Sequence, residues 1–113
     1  MEILKKSIAL ALLICVQLVA AQDQKTLQDA FSKSYTLEAG LKYNEAVELL
    51  KGLNTTDNYP VQLRLGWLYY LGKRYEESIA AYKKAAAIMP ASVEPLNGIT
   101  TVLAAQSKWT ELE

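Results

Sequence analysis

Leu65-Gly66-Trp67-Leu68-Tyr69-Tyr70-Leu71-Gly72-Lys73-Arg74-Tyr75 carries more of the fold than any other stretch of this chain. An apolar run ends at Gly72, two basic residues follow, and Tyr75 opens a second run. In that run Ile79, Tyr82, Ala85, Ala86 and Met89 recur at helical spacing before Pro90. Apolar residues at i, i+3, i+4 and i+7 mark one face of a helix. The stretch therefore predicts two helices joined by a tight turn. A weaker copy lies upstream: Gly40 precedes Gly72 by 32 residues, and Tyr43 precedes Tyr75 by 32. Downstream, Trp109 follows Tyr75 by 34. Paired helices at a fixed period stack into solenoids, which bind other molecules along an exposed face.

Working outward, the pattern predicts five helical segments after the leader. The first spans about Lys25 to Ala39, with Leu27, Ala30, Phe31, Ser34 and Leu37 as its stripe, Thr26 and Asp29 as its cap, and Gly40 as its end. The second spans about Asn44 to Lys51 and turns Ala46, Val47, Leu49, Leu50 and Leu53 inward. Gly52 and the polar run Asn54-Thr55-Thr56-Asp57-Asn58 then form a loop. That run also fits a glycosylation sequon, which is read here as plain loop. Asn58 caps the third helix, about Tyr59 to Leu71, with Pro60 tolerated in its first turn. Gly72 closes it. The fourth spans about Glu76 to Met89, its acidic residues at the positive end and Lys83 and Lys84 toward the negative end. The fifth spans about Val93 to Gln106; Pro95 sits in its first turn and Gly98 weakens it by roughly 1 kcal/mol relative to alanine. Thr110 reads as the cap of a sixth helix.

Composition removes several classes of function. Twelve basic and twelve acidic residues leave no net charge, which gives no sign of a phosphate-binding surface, so no nucleic-acid partner is expected. There is no histidine, and Cys15 is the sole cysteine. Zinc clusters, Ser-His or Cys-His nucleophiles and disulfide frameworks lack their raw material. No acid/base pair stands out among the carboxylates. Neither a catalytic residue, a metal nor a cofactor is expected.

The leader is distinct. Lys5 and Lys6 precede an almost wholly apolar run from Ile8 to Ala21, 14 residues long and short of the roughly 20 that cross a bilayer. Val19-Ala20-Ala21 places small residues before a cut at Gln22, the layout of a secretory signal peptide. Residues 1–21 are thus expected to be a signal peptide and 22–113 the helical domain, exported to a periplasmic, cell-envelope or extracellular location. An uncleaved anchor, the single expected route to a membrane, and a buried helix of the fold are the alternatives. Leu12-Leu13-Ile14-Cys15 resembles a bacterial lipobox only loosely, because Ile14 is bulky where a small residue is wanted.

With these residues in place, the chain resembles the tetratricopeptide repeat family. Leu65-Gly66, Tyr69, Tyr75, Tyr82, Ala85 and Pro90 fall on its signature positions, and Ser78 stands where alanine is usual. The copy before it keeps Tyr43, Ala46 and Leu50, with Ser34 for the glycine and Asn58 for the proline. The copy after it keeps Leu103 and Trp109, with Thr100 for the glycine and Leu112 for a small residue. The resemblance implies an all-α, helical-hairpin solenoid of about two and a half repeats. In such a fold Gly66 and Ser78 let two helices approach, while Tyr69, Tyr75 and Tyr82 fill the space between helices.

The same resemblance implies that the first helix of each unit lines a concave face. Projected here, that face holds Phe31, Tyr35 and Glu38, then Leu63, Trp67 and Tyr70, then Asn97 and Thr101, and its ligand is a protein or peptide. Trp67 and Tyr70 share a side of their helix, away from Leu65 and Tyr69. The competing use of Trp67 is packing against a neighbouring unit. Some family members grip a C-terminal carboxylate with lysine and asparagine; Phe31 and Tyr35 replace those residues here. Lys73 and Arg74 read as solvated charge. Because the last hairpin lacks its second helix, the chain is expected to be the N-terminal part of a longer protein, leaving Ile99 and Leu103 short of packing. The alternative function is then a docking or regulatory segment of a longer enzyme or envelope-assembly protein.

Overall fold

The computed structural model describes the chain except for residues 54–56 and 113, and except for the side chains of residues 19–22 and 108–112. Among the described residues there are five helices and no strand: α1 (Glu2–Ala39), α2 (Tyr43–Lys51), α3 (Tyr59–Leu71), α4 (Tyr75–Ile88) and α5 (Glu94–Leu112). The chain divides into two compact units, Met1–Ser32 and Lys33–Glu113. In the second, α3 packs against α2, α4 and α5, and α4 packs against α5. This is an all-α arrangement of stacked helical hairpins, as in a short tetratricopeptide-like solenoid.

Helix α1 begins far earlier than Lys25. No glycine or proline interrupts residues 1–39, so Thr26 lies within a helix and starts none. Ile3, Leu4, Ile8, Leu10, Leu12, Leu13, Ile14, Val16 and Leu18 are all exposed in the first unit. Among the described residues α1 is the one helix long and apolar enough to cross a membrane, and a signal sequence near the N-terminus passes the same test.

The turns after α1 and α3 are copies of each other. Gly40 N–H donates to Thr36 O, Leu41 N–H to Glu38 O and Lys42 N–H to Leu37 O; Gly72, Lys73 and Arg74 N–H make the same bonds to Leu68, Tyr70 and Tyr69 O. Both are Schellman closures. The left-handed position of each turn is not taken by its glycine. That falls one residue later, on Leu41 (φ 61°) and Lys73 (φ 62°), and no glycine has positive φ. A left-handed conformation costs a side-chain-bearing residue about 1–2 kcal/mol relative to glycine. Lys73→Gly should therefore stabilise the chain by about 0.5–1 kcal/mol, read as a rise in the urea midpoint with unchanged slope.

Asn58 caps α3 as expected, its Oδ1 accepting from Val61 N–H at 3.1 Å. The core comprises Ala46, Val47 and Leu50 of α2, Val61, Leu65, Leu68 and Tyr69 of α3, Ala81, Tyr82 and Ala85 of α4, and Val102 of α5. Pro95 also is fully buried, so it packs as well as starting α5. Met89 departs from its predicted inward place: it follows the last residue of α4 and is exposed.

Two small residues set the spacing of α3 and α4. Ser78 is fully buried and its hydroxyl donates to Gly66 O at 2.6 Å, so serine replaces alanine without leaving an unpaired polar group. The Tyr82 ring then lies against both Gly66 and Gly98. A Cβ added at Gly66 would stand 2.7 Å from the ring, and one at Gly98 2.5 Å from it. Gly98, expected only to weaken α5, is where α5 reaches Tyr82. Thr100, which stands in place of the glycine in the third copy, is exposed.

Burial pushes the Tyr82 phenol above its ordinary value, and Tyr70 adds to the shift. The folded chain then holds this proton more tightly than the unfolded chain does. The associated stability is complete below pH about 10 and is lost as pH rises through the higher folded value. The melting temperature of Tyr82→Phe should accordingly fall less steeply than the parent's above pH about 10.

The end of α5 is a further correction. A turn before Trp109 and a helix start at Thr110 were expected, yet the backbone is helical to Leu112. Gln106-Ser107-Lys108 contains neither glycine nor proline to stop it. The side chain of Trp109 and the sequon at 54–56 lie outside the described residues.

Candidate partner-binding face

Helix α3 has two unlike sides because its apolar residues follow two stripes. Leu65 and Tyr69 face the core, while Trp67 is 40% exposed and Leu63 and Tyr70 are half-buried. The separation predicted between these faces holds.

The exposed side is organised by a residue that sequence reading passed over. Arg64, the one charged residue of α3, is only 7% exposed. Its Nε donates to Ser34 Oγ at 3.1 Å and its Nη1 to Glu38 Oε1 at 2.9 Å. Its guanidinium lies 3.8 Å from the centroid of the Tyr35 ring. Trp67 Nε1 donates to the same Glu38 oxygen at 2.9 Å. Thus the last turns of α1 and the middle of α3 are bonded through one carboxylate, and that carboxylate fixes the indole. Arg64 Nη2 is buried without a hydrogen-bond partner among the described residues; the cation–π contact with Tyr35 offsets part of that cost. A lone charge within a thirteen-residue apolar helix was the available signal, since such charges survive burial only when paired.

From Trp67 the aromatic surface continues. The Trp67 and Tyr70 ring centroids are 5.4 Å apart with planes tilted 38°, and those of Tyr70 and Tyr75 are 6.2 Å apart, tilted 42°. Tyr75 was expected as filler between helices; it is half-buried and extends this ring series. Tyr70 then forms one wall of an open cleft of about 400 Å³ whose remaining lining, among the described residues, is Thr100, Thr101, Ala104 and Ala105 of α5. Thr100 and Thr101 hydroxyls donate to Leu96 O and Asn97 O at 3.0 Å, within α5 itself.

Of the eight residues projected onto this face, Tyr35, Glu38, Trp67, Tyr70 and Thr101 form a connected series through Arg64. Asn97 is exposed on α5 and joins it through its backbone carbonyl. Leu63 is half-buried on α3, and Phe31 belongs to the N-terminal unit.

Arg74, expected as solvated charge, is also engaged. It bonds both Glu77 carboxylate oxygens, at 2.8 and 2.5 Å, reaches Asn44 Oδ1 at 3.2 Å, and lies 4.8 Å from the Tyr69 ring centroid. The Arg74 guanidinium holds the Glu77 carboxyl below the usual carboxylate range. These contacts brace the α3–α4 turn on the side of α3 away from Trp67.

Among the described residues no cluster of three or more cysteine or acidic side chains is placed to hold a metal ion. The face offers rings, hydroxyls and a neutralised ion pair, an arrangement suited to contact with another molecule.

The tetratricopeptide repeat family profile matches residues 60–92, which covers α3 from its second residue, the turn after it and α4. Tyr69, Tyr75, Ser78, Tyr82 and Pro90 all lie inside that match. Comparison of the chain with curated proteins and with solved structures returns no match.

Proposed function

We propose that this chain is an exported protein-interaction module, without catalysis of its own, that holds a peptide or protein partner along the face of α3 and α5. The observation that carries the reading is the continuous run Trp67–Tyr70–Tyr75, opening into the cleft beside Thr101. Large aromatic side chains supply much of the energy at protein interfaces, and they do so best when held in place beforehand. Trp67 meets both conditions: it is exposed, and Glu38 fixes its ring. The apolar N-terminal helix behind two lysines supports export.

The test is capture of a partner from an envelope extract by the immobilised chain and by a Trp67→Ala, Tyr70→Ala double variant. The parent should retain a partner that the variant releases, with far-ultraviolet circular dichroism unchanged. Equal capture by both would remove this face from the binding role.

A further inference from the structure

We infer that the outer side of α5 takes the same side of α5 from a second copy of this chain, the two helices running antiparallel. The inference does not rest on the binding role proposed above; it starts from the internal repeat. Val61 and Leu68 of α3 are fully buried, and so are Pro95 and Val102 of α5, each 34 residues further on. That register matches every position of α3 to one of α5. On α3, Gln62, Leu65, Gly66 and Tyr69 are all buried. Gly66 lies against Ser78 and Tyr82 of α4, and the other three line one cavity with Leu50 of α2 and Ala81 of α4.

Their counterparts on α5 are Leu96, Ile99, Thr100 and Leu103. Leu96 is 56% exposed and Leu103 49%; Thr100 is exposed and Ile99 half-buried. So α5 packs on α4 as α3 packs on α2, while the side that α4 covers on α3 is open on α5. Residues 108–112 continue the same helix beyond Leu103.

The open side is its own complement. Leu96 stands three positions before Ile99, and Leu103 three after Thr100. A two-fold axis between Ile99 and Thr100 therefore sets Leu96 of each copy opposite Leu103 of the other, and Ile99 opposite Thr100. Leu96 and Leu103 are seven residues apart, close to two turns, so both leucine pairs fall on one seam. An antiparallel pair is also what α3 makes with α4, so the second copy stands where the repeat puts a covering helix. Residues 95–107 carry no charge, and two identical surfaces then meet without like-charge repulsion.

Sedimentation velocity on the full chain tests the inference, in a mild detergent that disperses the apolar N-terminal helix. A dimer should form with a dissociation constant of about 10–100 µM, as suits an interface of one helix face. Leu96→Lys and Leu103→Glu should each weaken it at least about tenfold. An equimolar mixture of the two variants should regain the dimer, because the register sets position 96 against position 103. Both side chains are exposed, so circular dichroism should be unchanged. A chain that stays monomeric up to millimolar concentration overturns the inference and leaves this side of α5 to a helix of other sequence. Association that ignores both variants overturns it too, placing the contact elsewhere, as does a mixture that fails to recover. Loss of partner capture in the Trp67→Ala, Tyr70→Ala variant bears on none of these outcomes.

Discussion

Replacing Gly98 with alanine is expected to destabilise the chain by about 2 kcal/mol, although the same change inside an ordinary helix stabilises by about 1 kcal/mol. The reversal comes from Tyr82. An added Cβ would stand 2.5 Å from its ring, inside van der Waals contact. The ring cannot retreat, because Gly66 is packed against it as well, leaving no room for even one methyl group. Gly66→Ala should therefore cost a similar amount. The control is a smaller residue at position 82. In a Tyr82→Leu background Gly98→Ala should become neutral or stabilising, giving a coupling of about 2–3 kcal/mol in a double-mutant cycle. Urea unfolding of the four proteins measures it. Additive effects would mean that Tyr82 does not occupy the space between α3 and α5.

Arg64→Ala is the second large effect, with an expected loss of about 2 kcal/mol. A fully buried ion pair loses more when one partner is removed. Here Glu38 is 26% exposed on its side chain, and water can solvate the carboxylate left behind. The substitution also removes the bond to Ser34 and the stacking on Tyr35. Arg64→Lys should recover less than half of the loss, because an ammonium is not a planar fork and cannot serve two acceptors while lying flat on a ring. Equal stability of Arg64→Lys and parent, by urea unfolding, would show that charge alone matters at this position.

Much of the hairpin was legible in the sequence because its determinants are local. The Asn58 cap, the inward faces of α2 and the two sides of α3 follow from helical periodicity and capping chemistry within a few residues. Three features were not legible, each for a different reason. Glycine at positions 40 and 72 marked the turns correctly, yet the left-handed residue follows it; periodicity does not say which residue of a closing turn carries positive φ. Gly98 looked like a weak point in α5, since its value depends on a tyrosine sixteen positions away in sequence. The Arg64 cluster joins Ser34, Tyr35 and Glu38 across roughly thirty residues, and no spacing rule links a buried charge to partners so distant. At the end of α5 the absence of any helix breaker in Gln106-Ser107-Lys108 outweighs the Trp109 spacing, and the helix runs on to Leu112. Where the candidate face is concerned, the positions came from the family resemblance, while the pinning of Trp67 by Glu38 and the extension through Tyr75 required side-chain geometry.

The stack of α3, α4 and α5 around Tyr82 underlies every claim made for the aromatic face, and nuclear Overhauser contacts of the Tyr82 ring protons test it directly. The ring should show contacts to the Hα protons of both Gly66 and Gly98, with those protons shifted by the ring current. Contacts to neither glycine, or to Gly66 alone with Gly98 unshifted, would contradict the packing of α5 on this hairpin and remove the cleft beside Thr101 with it.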